Sequence, residues 1–209
     1  MPTQVKGLQT ILLWSLCCTL AFAAPPAPKA GLFLVATKKM SGPIFSRTVI
    51  LLVKADKTGT MGVIINRPTP HSLGDVVQQL RGTNGADSII FDGGPVAPII
   101  LHTLYRSKPP VDSSIQVFEG VYFSNSEQVL LDRIQTSPTS TRIYSGYTGW
   151  AAGQLESELK RGDWHLVAAD PEVVFRSKTD GIWQELVPAG ATRWVRKQQD
   201  FPSSTFNLL

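Results

Sequence analysis

Apolar positions along this chain fall into short runs of strand length, separated by turns and short helical patterns. Gly31 to Ala36 (GLFLVA) is an apolar run, and Thr48 to Lys54 (TVILLVK) is a second one rich in β-branched residues. Asp56-Lys57-Thr58-Gly59 reads as a turn, and Met61 to Ile65 as a third strand closing a hairpin with the second. Leu73 to Leu80 carries apolar residues at 73, 76, 77 and 80, the spacing of one helix face. Ser88 to Phe91 and Ile99 to Leu104 are strand-like. Ser113 to Phe118 and Val121 to Phe123 suggest a hairpin around Glu119-Gly120. Ser124 and Glu127 have capping-box spacing, opening a helix to about Ile134 with Val129, Leu130 and Ile134 as its buried stripe.

Arg142 to Tyr147 is a further strand, Ala151 to Arg161 a helix ended by Gly162, and Trp164 to Ala168 a last strand. Asp170-Pro171-Glu172 places an acid at an N-cap and Pro at the first helical position. Ile182 to Val187 closes the pattern as a short helix. Strands come in clusters with short helices between them, not in regular βαβ alternation, which predicts an α+β fold.

The first residues read as an address. Lys6 precedes an apolar stretch from Ile11 to Ala23, and Ala21-Phe22-Ala23 supplies the small residues of a cleavage site. That order predicts a secretory signal peptide over residues 1–23 and an exported protein. Ala24-Pro25-Pro26-Ala27-Pro28 predicts a stiff spacer over 24–30. One domain would follow over 31–190, and a loose basic tail over 191–209 carries Arg193, Arg196 and Lys197. Both cysteines, Cys17 and Cys18, lie in the leader, so its removal takes disulfides and thiol chemistry with it. Loss of Lys6 would lower the formal charge from +4 to +3. At 209 residues, 43% hydrophobic and 17% charged, the chain is long and apolar enough to build one core. No apolar run reaches the ~20 residues of a membrane-spanning helix, so no transmembrane span is expected in the mature chain.

Three motif clusters stand in order along the domain. The first joins Gly42-Pro43-Ile44-Phe45-Ser46-Arg47-Thr48-Val49 to Gly59-Thr60-Met61-Gly62-Val63-Ile64-Ile65-Asn66-Arg67-Pro68. The second is Gly93-Gly94-Pro95-Val96 followed by Leu101-His102. The third runs from Gly146-Tyr147-Thr148-Gly149-Trp150 through Gln154-Leu155-Glu156-Ser157-Glu158, with Trp164 and Ala168-Ala169-Asp170 behind it. Over Gly31 to Val187 the chain resembles the YqgE/AlgH family of bacterial proteins, often labelled transcriptional regulators. The resemblance implies a single α+β domain. Its bent, partly split, mostly antiparallel sheet would close toward a barrel, with short helices packed around it. It implies no particular reaction and no cofactor. The chain departs from the family in its leader, in a shorter connection from Gly94-Pro95 to Leu101-His102, and in Gly42, where an acid is common.

Candidate chemistry is sparse. His71, His102 and His165 are the histidines, and no serine sits in a G-x-S-x-G elbow. His165 alternates with Trp164 and Leu166, as a half-exposed strand residue would. His71 lies in a Pro/Ser turn, and His102 after the glycine turn is the best histidine candidate. No histidine pair has metal-ligand spacing, and nothing links Asp92 to Glu119, so no metal site is expected. Gly93-Gly94 either bends the backbone or allows a close approach. Arg67, after Asn66, could grip an anion or pair internally with Asp75 or Glu156. Tyr147 and Trp150 with Gln154 read either as walls of a concave patch or as a packed strand-to-helix corner. Arg193, Trp194, Arg196 and Lys197 form only a faint basic-aromatic cluster, so nucleic acid is not an expected partner.

The sequence therefore predicts a non-enzymatic binding protein for an unidentified small molecule or protein. Its groove would lie around Asn66, Arg67, Gly94, His102, Tyr147, Trp150 and Gln154. The alternatives are a hydrolase using His102 and a cytoplasmic regulator that keeps its first residues.

Overall fold

The β-branched and aromatic runs pair into ten strands, among residues 27–108 and 113–188 described by the computed structural model. The leader over 1–23, residues 24–26 of the spacer and the tail over 191–209 lie outside the described residues. Strands β1 (Leu32–Ala36), β2 (Val49–Asp56) and β3 (Gly59–Ile64) form an antiparallel ladder, with Leu34 opposite Ile50 and Ile50 opposite Ile64. Strand β2 is buried on both faces over Val49–Val53, which is why its run is continuously apolar instead of alternating. Strand β4 (Pro68–Ser72), not anticipated from the pattern, is a proline-bearing edge paired with β5 (Ile89–Asp92).

Strands β6 (Val96–Arg106), β7 (Ile115–Phe118) and β8 (Val121–Ser124) make the second ladder. The eleven-residue strand β9 (Thr141–Ala151) joins the two. Its first half lies between β6 and β5, and its second half pairs with β3. The β5–β9 ladder is parallel; every other described pairing is antiparallel. Strand β10 (Trp164–Ala168) pairs with the outer edge of β1, giving the order β10-β1-β2-β3-β9-β6-β8-β7.

The expected closure toward a barrel does not occur, because β10 and β7 end the sheet without pairing to each other. The sheet folds over on β9 instead. Phe33, Leu51 and Val63 from one half then pack against Leu104, Phe123 and Tyr144 from the other. The halves still meet along one edge, where a Cβ added at Gly31 would lie 3.1 Å from Val117 O of β7, but no ladder forms there.

Three of the helices cover the outer faces, whereas Val173, Val174 and Ile182 of the last two pack with the inner layer. Leu155 of α3 (Gln154–Arg161) packs on Leu34, Ile50, Ile64 and Trp164. Leu73 of α1 (Leu73–Val76), with Leu130 and Ile134 of α2 (Glu127–Thr136), covers Ile90 and Ile143. Helix α4 (Pro171–Val174) starts on the Asp170 side chain, which accepts from Glu172 N. The Trp183 indole of α5 (Ile182–Leu186) donates to Ala36 O at 2.7 Å.

Three helical expectations shift. Helix α3 opens at Gln154, not Ala151, because Ala151 still belongs to β9. The stripe over 73–80 breaks at Val77, whose φ/ψ of −107°/88° ends α1 before a 3₁₀ turn at Gln78–Leu80. Helix α2 is capped by Ser126, not Ser124, because the Ser124 hydroxyl donates to Ser113 O from the end of β8.

Candidate functional site

Asn66 and Arg67 follow β3 and face the 42–48 loop. The Asn66 carboxamide accepts from Val49 N at 2.9 Å and donates to Arg47 O at 3.0 Å. Arg67 donates to Pro43 O at 3.1 Å and Ser46 O at 3.4 Å, and its guanidinium lies 3.9 Å from Asp92. The pairing suggested with Asp75 or Glu156 is replaced by this half-buried contact with Asp92. Both side chains fasten the loop to the sheet.

Trp150 and Gln154 belong to a different cluster. Both the Trp150 and Trp164 indoles donate to Glu158 Oε2 at 2.8 Å, and the rings meet edge to face at 6.1 Å. Gln154 donates to Glu158 Oε1 at 3.0 Å and accepts from Ala151 N at 3.1 Å. One carboxylate thus satisfies three donors at the turn from β9 into α3. Tyr147 and Trp150 are not walls of one groove. Strand β9 runs on through both, and residues three apart on a strand point to opposite faces. Trp150 packs on the outer face under α3, whereas Tyr147 packs on the inner layer.

Gly94 serves a close approach. Its φ is +141°, and a Cβ there would sit 2.5 Å from Tyr147 O. The backbone of the glycine turn therefore lies directly against β9 at Tyr147, the residue whose ring meets His102.

His102 is the convergence point. It is 4% exposed, lies face to face with Phe123 at 5.3 Å, and receives the edge of Tyr147 at 5.8 Å. Neither Nδ1 nor Nε2 has a hydrogen-bond partner among the described residues. Burial lowers its pKa, so the ring is neutral at physiological pH, with one donor and one acceptor unanswered. Beside it is a pocket of about 380 Å³ lined by Met61, His102, Ser113, Ser114, Ile115, Phe123, Ser124 and Asn125. His102, Phe123 and Ser124 form its buried floor; Ser113, Ile115 and Asn125 are exposed at its rim. The Tyr105 hydroxyl donates to Ser114 Oγ at 2.6 Å, which leaves the Ser114 proton to point elsewhere. Of the residues named from the sequence, His102 and Tyr147 meet here, with Gly94 behind them. Asn66, Arg67, Trp150 and Gln154 do not line the pocket. The lining residues Met61, Ser113, Ser114, Phe123 and Asn125 were not singled out; the opposition of Leu104 to Phe123 across β6 and β8 brings the β7–β8 residues to His102, and Met61 arrives from β3 across the inner layer.

Polar groups elsewhere in the inner layer are also incompletely paired. Buried Arg142 donates to Arg176 O and stacks over Phe91 at 4.4 Å, with its Nε unpaired. The unpaired Tyr144 hydroxyl is pushed up to about 12 by burial. Half-buried His165 on β10 is likewise held below its ordinary value by burial, and His71 is exposed on β4. No group of three or more His, Cys, Asp or Glu side chains is placed to hold a metal ion among the described residues.

Comparison with known proteins extends over most of this architecture. Residues 33–191 match the DUF179 family model, described as AlgH-like. A UPF0301 protein of Chlorobium chlorochromatii is 33% identical over 178 residues, covering 83% of this chain and 93% of that protein. One from Xanthomonas axonopodis pv. citri is 35% identical over 165 residues, covering 76% and 87%. The solution structure of the AlgH protein from Pseudomonas aeruginosa superposes with a TM-score of 0.62 at 32% identity, over 73% of this chain and 84% of that one. A Corynebacterium diphtheriae protein shares the fold alone, with a TM-score of 0.65 at 21% identity, over 78% and 87%. The motif clusters, the length of these alignments and the shared fold agree: this chain belongs to the YqgE/AlgH family.

Proposed function

We propose that this protein is an exported binding protein that holds a small ligand in the His102 pocket without converting it. The observation that carries the reading is the His102 ring, buried with both nitrogens unpaired beside a pocket of about 380 Å³. Buried polar groups are ordinarily satisfied, and an unmet donor or acceptor costs about 1–3 kcal/mol. A molecule bound in the adjoining space packs against the ring and, by displacing part of the rim, answers one of these nitrogens. A hydrolase would need His102 bonded to a nucleophile and oriented by a third group, and among the described residues no hydrogen bond joins the ring to a hydroxyl or a carboxylate. Export is supported by Lys6, the apolar stretch to Ala23 and the Ala21-Phe22-Ala23 site.

Native mass spectrometry of the protein from separated fractions of its own cells tests both parts. The expected result is an exported chain beginning at Ala24, with an added small-molecule mass that a His102→Phe variant lacks. An intact Met1 in the cytosol would overturn export and restore the regulator alternative. An equal added mass on the variant would overturn the pocket assignment.

A further inference from the structure

We propose that the outer edge of β10 is the docking strip for this chain's own C-terminal segment, with residues 191–197 adding to it as a further strand. The tail that composition alone predicts to be loose is then held at one end of the sheet.

The register between β1 and β10 runs without a shift from Leu32 opposite Ala168 to Ala36 opposite Trp164. At its two ends Ala169 N donates to Gly31 O at 3.1 Å and Thr37 N donates to Asp163 O at 3.0 Å. Bonded pairs alternate along an antiparallel ladder. His165 and Val167 therefore exchange bonds with β1, and the backbone N–H and C=O groups of Trp164, Leu166 and Ala168 face away from it. No described residue bonds to those outward groups.

The other two free edges among the described strands are blunted. Strand β4 carries Pro68 and Pro70. Strand β7 loses register against β8 between Gln116 and Phe118, and Val117 O lies 3.1 Å from where Gly31 would place a Cβ. Strand β10 reads Trp-His-Leu-Val-Ala, with no proline, lysine, carboxylate or bulge to discourage a further strand. Such an edge takes up an extended segment through main-chain bonds.

The tail starts near this edge. The Trp183 indole of α5 donates to Ala36 O, one strand in from Trp164, and Leu186 and Val187 pack on the same inner cluster as Val167. The chain runs on through residues 188–209, and at about 3.3 Å per extended residue it has length to spare for a strand of about 17 Å. Thr192-Arg193-Trp194-Val195-Arg196 supplies the β-branched and aromatic residues that suit a strand. Charge is complementary as well. Residues 163–172 hold Asp163, Asp170 and Glu172 and no lysine or arginine, whereas residues 189–209 hold Arg193, Arg196 and Lys197 against Asp200. A second copy pairing edge to edge would be held by five residues a side, against the roughly 20–30 of a stable interface. A tethered segment meets the edge at an effective concentration near millimolar, so a short strand suffices.

Deuterium exchange of the full chain, followed amide by amide by NMR, tests the assignment. Leu166 and Ala168 are expected to exchange as slowly as His165 and Val167, which bond to β1. A Trp194→Pro/Val195→Pro chain loses two successive N–H groups, one of which must face β10 in a strand. Leu166 and Ala168 should then exchange at least about tenfold faster, the equivalent of one good hydrogen bond, while His165 and Val167 keep their rates. If those two also speed up, Arg193→Glu/Arg196→Glu replaces the prolines, with a smaller rise at Leu166 and Ala168 alone. Fast exchange at Leu166 and Ala168 in the parent would overturn the proposal, since the edge would be bare. Protection that survives the variants would overturn it too, assigning the edge to another element or, where light scattering gives twice the chain mass, to a second copy.

Discussion

A histidine held in a core with neither nitrogen satisfied is a site where stability is given up. Replacing His102 by phenylalanine keeps the ring stacked on Phe123 and removes two unmet polar atoms. We expect His102→Phe to melt higher than the parent, by a few degrees for about 1–2 kcal/mol. A fall in melting temperature in a scanning calorimeter would show that the imidazole has an internal partner after all. The same burial fixes the direction of a pH effect. His102 and His165 are both held below the ordinary value of 6.5, so the unfolded chain takes up protons first as the solution is acidified. Their stabilising effect is complete above that value and is lost progressively as pH falls through it toward their native values. The aromatic rings of Phe123 and Tyr147, which face His102, carry no charge that would offset this. Urea midpoints measured from neutral pH downward should fall, and the His102→Phe chain should fall less steeply. His102 was marked in the sequence as the histidine that follows the glycine turn. Its neighbours were not, because serines and an asparagine beside a hairpin look like any loop.

At the scale of elements, the turn from β9 into α3 is held by one carboxylate. Removing it in Glu158→Ala strands the indole N–H groups of Trp150 and Trp164, and we expect a loss of about 2–4 kcal/mol. Glu158→Gln should cost less. It keeps one oxygen that both indoles can reach, but turns an amide donor toward the Gln154 amide. The two urea midpoints, ranked parent, then Gln, then Ala, test this; equal effects would mean that the carboxylate packs without bonding. The strands were readable wherever a β-branched run ended in a turn residue, and α3 and α4 wherever Gly162 or Asp170-Pro171 punctuated the chain. The end of β9 was not. Gly146 and Gly149 interrupt the alternation that marks a strand, so Trp150 read as the entry to a helix. The α2 cap slipped by two because Ser124 and Ser126 both suit an N-cap, and only the Ser124 bond to Ser113 O decides between them.

Across the whole molecule, the strand clustering conveyed the class of fold but not how the sheet ends. Barrel or layered closure depends on which large side chains face inward, a long-range property of paired strands. The glycine turn at 93–94 sets how closely the second layer approaches β9. At Gly94, alanine would need the same left-handed φ and would place its Cβ 2.5 Å from the Tyr147 carbonyl. We expect Gly94→Ala to cost about 3 kcal/mol or more, and to weaken the near-ultraviolet circular dichroism of the aromatic layer. Unchanged spectra and stability would mean that the turn can move aside. Strand β9 carries a consequence of its own. Because β3, β5 and β6 all bond to it, each layer is fastened by its own ladder to one common strand, and neither can leave without disturbing the strand that the other is built on. Melting should therefore be a single cooperative event, with the slowest deuterium exchange at the amides of Ile143 and Thr148, and neither layer produced alone should be a stable fragment.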